Sequence, residues 1–215
     1  MGMATNPAML DRLGLALALA MGAIVLFVDI QRAQALFFPV FLVFLVASVA
    51  VTKYGYSGKR EMNLYEHERS WENVLANGLV PVVAALAAPS FGWGAYVGAV
   101  AAITADKFAS ELGVLGGAPV SLLTLKAGRK GESGCISAFG TLMSLDGALI
   151  IGIAAFSLMG GASPWIIVQI GLIGFAGSMA DSIAGVLEER GIGTKATTNL
   201  ICALVGALMG WAFLA

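Results

Sequence analysis

The chain has 215 residues, of which 59% are hydrophobic and only 12% are charged, and its formal net charge is −1. Soluble domains carry about 25% charged residues, so this composition excludes a water-soluble enzyme and indicates an integral membrane protein. A helix needs roughly 20 apolar residues to cross the hydrocarbon layer, and the chain has room for about seven such helices. We therefore predict an all-α bundle in which residues 1–215 form one polytopic membrane domain.

Apolar segments in chain order define seven predicted spans. Their approximate bounds are 13–30, 36–52, 74–88, 93–105, 136–159, 164–187 and 198–215. Pro89 is expected to end the third span, because proline disrupts a helix interior. The fourth is expected to continue through Asp106 as far as Gly113.

Positive charge alternates between the loops, which predicts the orientation. Lys and Arg are concentrated in the segments 53–72, 114–135 and 188–197. The turns on the opposite side contain a single basic residue, Arg32. Short loops rich in Lys and Arg remain on the cytoplasmic side of a membrane. We expect a multi-pass protein of the cell's inner (plasma) membrane, with the N-terminus and the active site facing the cytoplasm.

Small residues and cysteines have simpler interpretations. Gly171, Gly174 and Gly177 recur at a spacing that allows neighbouring membrane helices to approach closely. Cys135 and Cys202 lie in a basic loop and an apolar helix respectively, so we expect two free thiols.

Acidic residues inside or beside the spans are the first functional signal, because ionisable groups are costly in membranes and usually have a role there. Four residues qualify: Asp106, Glu111, Asp146 and Asp181. Asp106 and Asp181 both lie at predicted cytoplasmic helix ends, and paired carboxylates suit Mg²⁺, which is often held by one or two carboxylates and substrate phosphates. We predict that these two aspartates bind Mg²⁺, unless each pairs with a nearby lysine or caps a helix.

A glycine-rich basic loop is the second signal. Its glycines recur every third residue over 126–137, and the loop leads directly into the fifth predicted span. Backbone amides at a helix N-terminus bind phosphate, and basic side chains add charge. The predicted nucleotide-binding residues of this loop are Lys126, Arg129, Lys130, Ser133, Gly134 and Ser137. The loop does not match the Walker pattern, and the alternative is a flexible basic loop.

A third polar group lies where the chain enters the third span. Arg69, Asn73 and Asn77 are spaced by one helical turn and share a face. This face could bind a lipid phosphate at headgroup depth. Thr198 and Asn199 form a similar polar entry to the last span, and either group could instead cap a helix.

Together these motifs resemble the membrane family that contains the plant phytyl-phosphate kinase and animal transmembrane protein nineteen. The resemblance covers about residues 69–210. The residues that carry it are Asn77-Gly78, Ala105-Asp106, Ala109-Ser110-Glu111-Leu112-Gly113, Ser133-Gly134, Ser137, Gly140-Thr141, Gly177-Ser178, Asp181-Ser182, Gly185 and Thr198-Asn199.

The resemblance implies a kinase that converts an isoprenyl monophosphate into the diphosphate with a nucleoside triphosphate, CTP being favoured. It also implies site roles by position. Asp106, Asp181 and Glu111 would be catalytic, Ser178 and Ser182 would join the nucleotide site, and Ser110 and Asn199 would join Arg69, Asn73 and Asn77 at the substrate.

Two other functions remain open at this level. A transporter or carrier of a lipid phosphate or small anion would also use buried carboxylates. A CDP-alcohol transferase would use Mg²⁺ and a cytidine nucleotide, although its denser set of aspartates is missing. The expected partners are a nucleoside triphosphate, an isoprenoid lipid phosphate and membrane lipids but no nucleic acid, and the sequence is compatible with a homodimer.

Overall fold

A computed structural model of the protein describes residues 9–65 and 69–214. Within these ranges the chain is almost entirely helical, with one short hairpin between the fifth and sixth helices. The elements are α1 (Arg12–Gln31), α2 (Phe37–Lys53), α3 (Tyr56–Glu61), α4 (Trp71–Phe91), α5 (Gly94–Gly113), β1 (Val120–Ser121), β2 (Cys135–Ile136), α6 (Ala138–Leu158), α7 (Trp165–Glu189) and α8 (Lys195–Leu214).

The predicted all-helical membrane architecture is confirmed. The seven predicted spans correspond to the seven long helices, α1, α2 and α4 to α8, with ends close to the predicted ones. Among the described helices, five are long and apolar enough to cross a membrane, and α2 is a shorter apolar helix of 17 residues. As predicted, α5 continues without a break through Asp106 to Gly113.

The predicted end of the third span is wrong. Helix α4 includes both Pro81 and Pro89, and it ends at Phe91, before Gly92. Pro89 lies in the last turn, where the loss of its N–H group affects little of the remaining helix. Gly92 has φ 78°, a backbone conformation that glycine adopts without steric cost, and this residue provides the actual stop.

Helix α5 lies at the centre of the bundle and packs against α2, α4, α6, α7 and α8. Glycines let it approach α8 closely, since a Cβ added to Gly98 would lie 2.2 Å from the carbonyl oxygen of Gly206. The predicted role of the α7 glycines is also confirmed. A Cβ on Gly174 would meet the Ala101 backbone at 2.8 Å, and one on Gly177 would meet the Ala102 Cβ at 2.4 Å.

The three basic segments meet at one end of the bundle. The backbone of Arg69 hydrogen-bonds with Met9 and Asp11 beside the start of α1. A Cβ on Gly131 would lie 2.8 Å from the Leu64 side chain, and one on Gly134 would lie 2.9 Å from the α7 backbone. At the opposite end, the buried Asp29 accepts hydrogen bonds from the first amides of α2. The three basic segments therefore surround the same end of the bundle, opposite the end that contains Asp29.

Candidate functional site

The two aspartates singled out in the sequence converge. Asp106 on α5 and Asp181 on α7 line the same cavity, and their charges influence each other there. Both are buried, with 9% and 5% of their surface exposed. Two adjacent carboxyl groups at low exposure repel each other unless a proton or a cation lies between them. The geometry therefore creates a place where positive charge is stabilised.

Lys195, which the sequence analysis did not select, provides one such charge. Its Nζ donates a hydrogen bond to Asp181 Oδ2 at 2.8 Å, and its charge also interacts with that of Asp106. Lys195 is the first residue of α8. A lysine at the start of a membrane span looks like an ordinary flanking charge. Its spacing of one helical turn from Asn199 was the signal that could have revealed it.

Polar side chains of α7 and α8 adjoin the acid pair. Asn199 is 3% exposed, and its Oδ1 has no hydrogen-bond partner among the described residues; the same is true of Asp181 Oδ1. Ser182 Oγ donates to the carbonyl oxygen of Ser178 at 3.3 Å. Ser178 is itself fully buried. The acid pair is therefore accompanied by oxygen acceptors that are not saturated within the protein.

Glu111 has a different environment from the aspartates. Its carboxylate pairs with Lys59 Nζ at 2.7 Å and Arg69 Nη2 at 3.0 Å, and it also pairs with Lys107. Thr52 Oγ1 donates a further hydrogen bond at 3.0 Å. These contacts bind the segment after α2 to the end of α5. Glu111 and Arg69 therefore belong to a cluster of ion pairs that holds these two segments together, and their predicted site roles stay predictions.

The basic glycine loop is ordered by its own contacts. Residues Val120 and Ser121 pair with Ile136 and Cys135 in the hairpin. Glu132 Oε2 accepts a hydrogen bond from the amide of Arg129 at 2.9 Å. Ser137 caps α6 by accepting from the Gly140 amide at 3.0 Å. The loop therefore forms a hairpin with defined internal contacts beside the acid pair.

A cavity of about 940 Å³ connects most of the predicted site residues. Its wall includes Arg69, Asn73, Asn77, Asp106, Ser110, Glu111, Arg129, Lys130, Ser133, Gly134, Ser137, Asp181, Ser182 and Asn199. Lys126 is exposed outside this wall, and neither Ser178 nor Asp146 contributes to it. The structure therefore brings together all the residues predicted for the catalytic, nucleotide and substrate sites except Lys126 and Ser178.

The same cavity has a long apolar branch. Its wall follows α1 from Leu15 to Leu26 and α2 from Phe38 to Val49, which is about 16 Å of helix at roughly 1.5 Å per residue. Leu19 and Leu42 line the branch while being 66% and 43% exposed. The branch is therefore partly exposed at the outer surface of α1 and α2. A molecule with a charged head and an apolar tail would fit both parts of the cavity.

A divalent cation is compatible with the acid pair. Within the described residues no group of three or more His, Cys, Asp or Glu side chains could hold a metal ion, so a site built wholly from such ligands is absent there. Two carboxylates with an unsatisfied oxygen on Asp181 instead match the way Mg²⁺ binds together with substrate phosphates.

The two cysteines are free thiols, as predicted. Cys202 is fully buried in α8. Cys135 lies in the hairpin, where partial burial raises the pKa of its thiol and the nearby Glu132 carboxylate raises it further. Its Sγ lies 3.6 Å from Glu132 Oε2. Cys135 is therefore not arranged as an activated nucleophile, which requires a lowered pKa.

Comparison with known proteins places these features in context. The sequence profile of the family described as integral membrane protein DUF92 matches residues 1–214. An uncharacterized membrane protein of Methanocaldococcus jannaschii is 40% identical over 175 residues, which cover 79% of this chain and 72% of that protein. Protein PGR of Arabidopsis thaliana is 31% identical over 176 residues, covering 67% of this chain and 61% of the plant protein. No solved structure matches the chain.

Proposed function

Since the chain belongs to the integral membrane protein family DUF92, we propose that it is a membrane-embedded kinase that phosphorylates an isoprenyl monophosphate to the diphosphate. The donor is a nucleoside triphosphate, with CTP favoured. One observation carries this proposal: a single cavity joins a buried acid pair, a basic glycine loop and an apolar groove. A soluble nucleotide and a lipid phosphate could meet there.

The polar end of the cavity suits the phosphate donor. Phosphoryl transfer depends mainly on positioning and on electrostatic stabilisation. Asp106 and Asp181 would hold Mg²⁺, which neutralises phosphate charge when bound. Arg129 and Lys130 line the cavity and would contact the nucleotide phosphates, together with the backbone of Ser133 and Gly134.

The apolar branch suits the acceptor. Its tail would lie between α1 and α2, with its phosphate toward Asn73 and Asn77 at the start of α4. Lys107 also lines the cavity and would stabilise the anionic head. A phosphate monoester is already a nucleophile, so the acceptor needs little help from a general base.

The orientation follows from the loop charges. All three basic segments lie at the end of the bundle that carries the acid pair, and short basic loops remain cytoplasmic. The proposed active site would therefore face the cytoplasm of the cell's inner membrane, where nucleotides are available.

The direct test is to incubate the purified protein in detergent with Mg²⁺, labelled CTP, ATP, GTP or UTP, and prenyl monophosphates of several lengths. We expect a prenyl diphosphate, formed most rapidly with CTP. Asp181→Asn should abolish turnover, whereas Asp146→Asn should retain it, because Asp146 is a membrane acid outside the cavity wall. Thermal unfolding of both variants verifies their folding.

Two outcomes would contradict the proposal. The first is the absence of diphosphate with every nucleotide and lipid in the panel. The second is wild-type turnover in Asp181→Asn. Lipid phosphate that binds without nucleotide consumption would instead indicate a carrier.

A further inference from the structure

Among the described residues, two buried oxygen atoms that line the cavity beside the acid pair have no hydrogen-bond donor. They are Oδ1 of Asp181 and Oδ1 of Asn199. Both side chains are more than nine-tenths buried, and both line the large cavity. A buried acceptor without a donor loses its interaction with water and gains nothing in exchange. The arrangement is explained if a positive ion binds both oxygens.

The surrounding helices can supply a third oxygen. Asp106 on α5 and Asp181 on α7 line the same cavity as Asn199, and Asn199 lies on α8, which packs against both helices. In the described part of the chain, no third His, Cys, Asp or Glu joins a metal-binding group. Asn199 offers an amide oxygen as a further protein ligand, and carboxylate and carbonyl oxygens are the ligands that Mg²⁺ and Mn²⁺ prefer.

The positively charged side chain of Lys195 would compete with such an ion for Asp181. Its ammonium donates to Asp181 Oδ2 at 2.8 Å, while its side chain is 45% exposed. Lys195 also precedes Asn199 by one helical turn, so both point to the same side of α8. A partly exposed side chain can move away, and it would have to do so for a cation to use both oxygens of Asp181.

We propose that Asn199 is the third protein ligand of a divalent-cation site with Asp106 and Asp181, and that Lys195 competes with the cation for Asp181. The identification of the ion as Mg²⁺ rests on the proposed function. The binding itself does not require nucleotide or turnover. The ammonium released from Asp181 remains at the cavity wall, where it can donate to phosphate oxygens.

The test measures cation binding directly. The full-length protein in detergent is titrated with Mn²⁺, without nucleotide, and free Mn²⁺ is followed by electron paramagnetic resonance with Mg²⁺ as competitor. We expect Asn199→Leu to weaken binding at least tenfold and Asn199→Asp to restore it. Lys195→Met should strengthen binding several-fold, and Asp146→Asn should leave it unchanged as a matched control for membrane charge.

The direction of the Lys195→Met effect separates competition from a structural ion pair. A lysine that merely holds α8 in place would give weaker or unchanged Mn²⁺ binding when removed, and either result overturns the proposal. Wild-type affinity in Asn199→Leu, or no Mn²⁺ binding by the native protein at millimolar concentration, also overturns it. If the binding results are as expected but no nucleotide is consumed, the cation site stands and the kinase proposal fails.

If Asn199→Leu does not fold, as judged by thermal unfolding, the Asn199→Asp and Lys195→Met variants still test the proposal. Both retain a side chain of similar length at the same position. Mn²⁺ binding that is weaker in Asn199→Asp, or that is weaker or unchanged in Lys195→Met, contradicts the assigned roles.

Discussion

The backbone nitrogen of Gly134 lies against Gly185 of α7, so closely that a Cβ built on Gly185 would approach it to 2.4 Å. Gly185 follows Asp181 by one helical turn on the same face. The basic loop is therefore fixed next to the acid pair by backbone contact, without the help of long side chains. Two glycines determine where the loop can supply its amides.

Gly134→Ala should separate the loop from α7. Gly134 has φ 70°, and a Cβ there would lie 2.9 Å from the Val186 nitrogen. Gly191→Ala is a matched control, because Gly191 has φ 78° with no atom within 4 Å of an added Cβ. Both changes should cost about 1–2 kcal/mol for the left-handed backbone. Only Gly134→Ala should also weaken nucleotide binding, by at least tenfold in titrations, and equal nucleotide affinities would contradict this role.

Gly98→Ala should destabilise the bundle at the contact between α5 and α8. The added methyl group would lie 2.2 Å from the Gly206 carbonyl oxygen, and such overpacking typically costs about 1–3 kcal/mol. Gly160 provides the comparison, since a Cβ at that position meets nothing within 4 Å. In detergent, the unfolding temperature should fall clearly for Gly98→Ala and hardly at all for Gly160→Ala. Similar unfolding temperatures for the two variants would argue against a tight contact between α5 and α8.

Lys59→Met should unfold more easily than the native protein. Lys59 is fully buried and donates to Glu111 and to the carbonyl oxygens of Val51 and Thr52. Removing one partner of a buried ion pair costs about 3–5 kcal/mol. Because Arg69 and Lys107 also contact Glu111 and still balance its charge, we expect a loss of stability near the lower end of that range.

Arg60→Met is the control for this loss of charge, because Arg60 is the exposed neighbour of Lys59. Its stability should stay within about 0.5 kcal/mol of the native value. Chemical denaturation in mild detergent measures both variants. A Lys59→Met protein as stable as Arg60→Met would show that the buried cluster contributes no net stability.

Glu132→Gln should make Cys135 react faster with an alkylating reagent. Burial and the Glu132 carboxylate both raise the pKa of this thiol, which lowers its thiolate fraction at a given pH, and the thiolate is the reactive form. Removing the carboxylate charge should lower the pKa and shift the midpoint of the rate–pH profile to lower pH. The measurement uses a Cys202→Ala background, and an unchanged midpoint would exclude the carboxylate as a cause.

The sequence was sufficient to predict the helices and the acid pair for related reasons. Apolar runs of membrane length define helices directly. Asp106 and Asp181 stand out because a carboxylate in such a run needs an explanation. Their convergence depended on both lying at the same end of the bundle, which the alternating loop charges had indicated. The unbroken course of α5 was predictable from its continuing helical spacing.

The contacts of the lysines could not be predicted in the same way. Lys59 and Glu111 are 52 positions apart, and only the packing of α2 against α5 brings them together. Lys195 has the appearance of a flanking charge until α7 is placed beside α8. Pro89 was misread because a proline in the last helical turn disrupts few hydrogen bonds, a condition that depends on where the helix ends.

The exposure of the apolar branch at the outer surface of α1 and α2 has a kinetic consequence. An amphiphile that enters there stays within its own leaflet and never has to pass through water. Its encounter with the polar residues is then governed by two-dimensional diffusion. The relevant concentration is the mole fraction of the amphiphile in the bilayer, so diluting it with inert lipid should slow its arrival even when its amount per volume is constant.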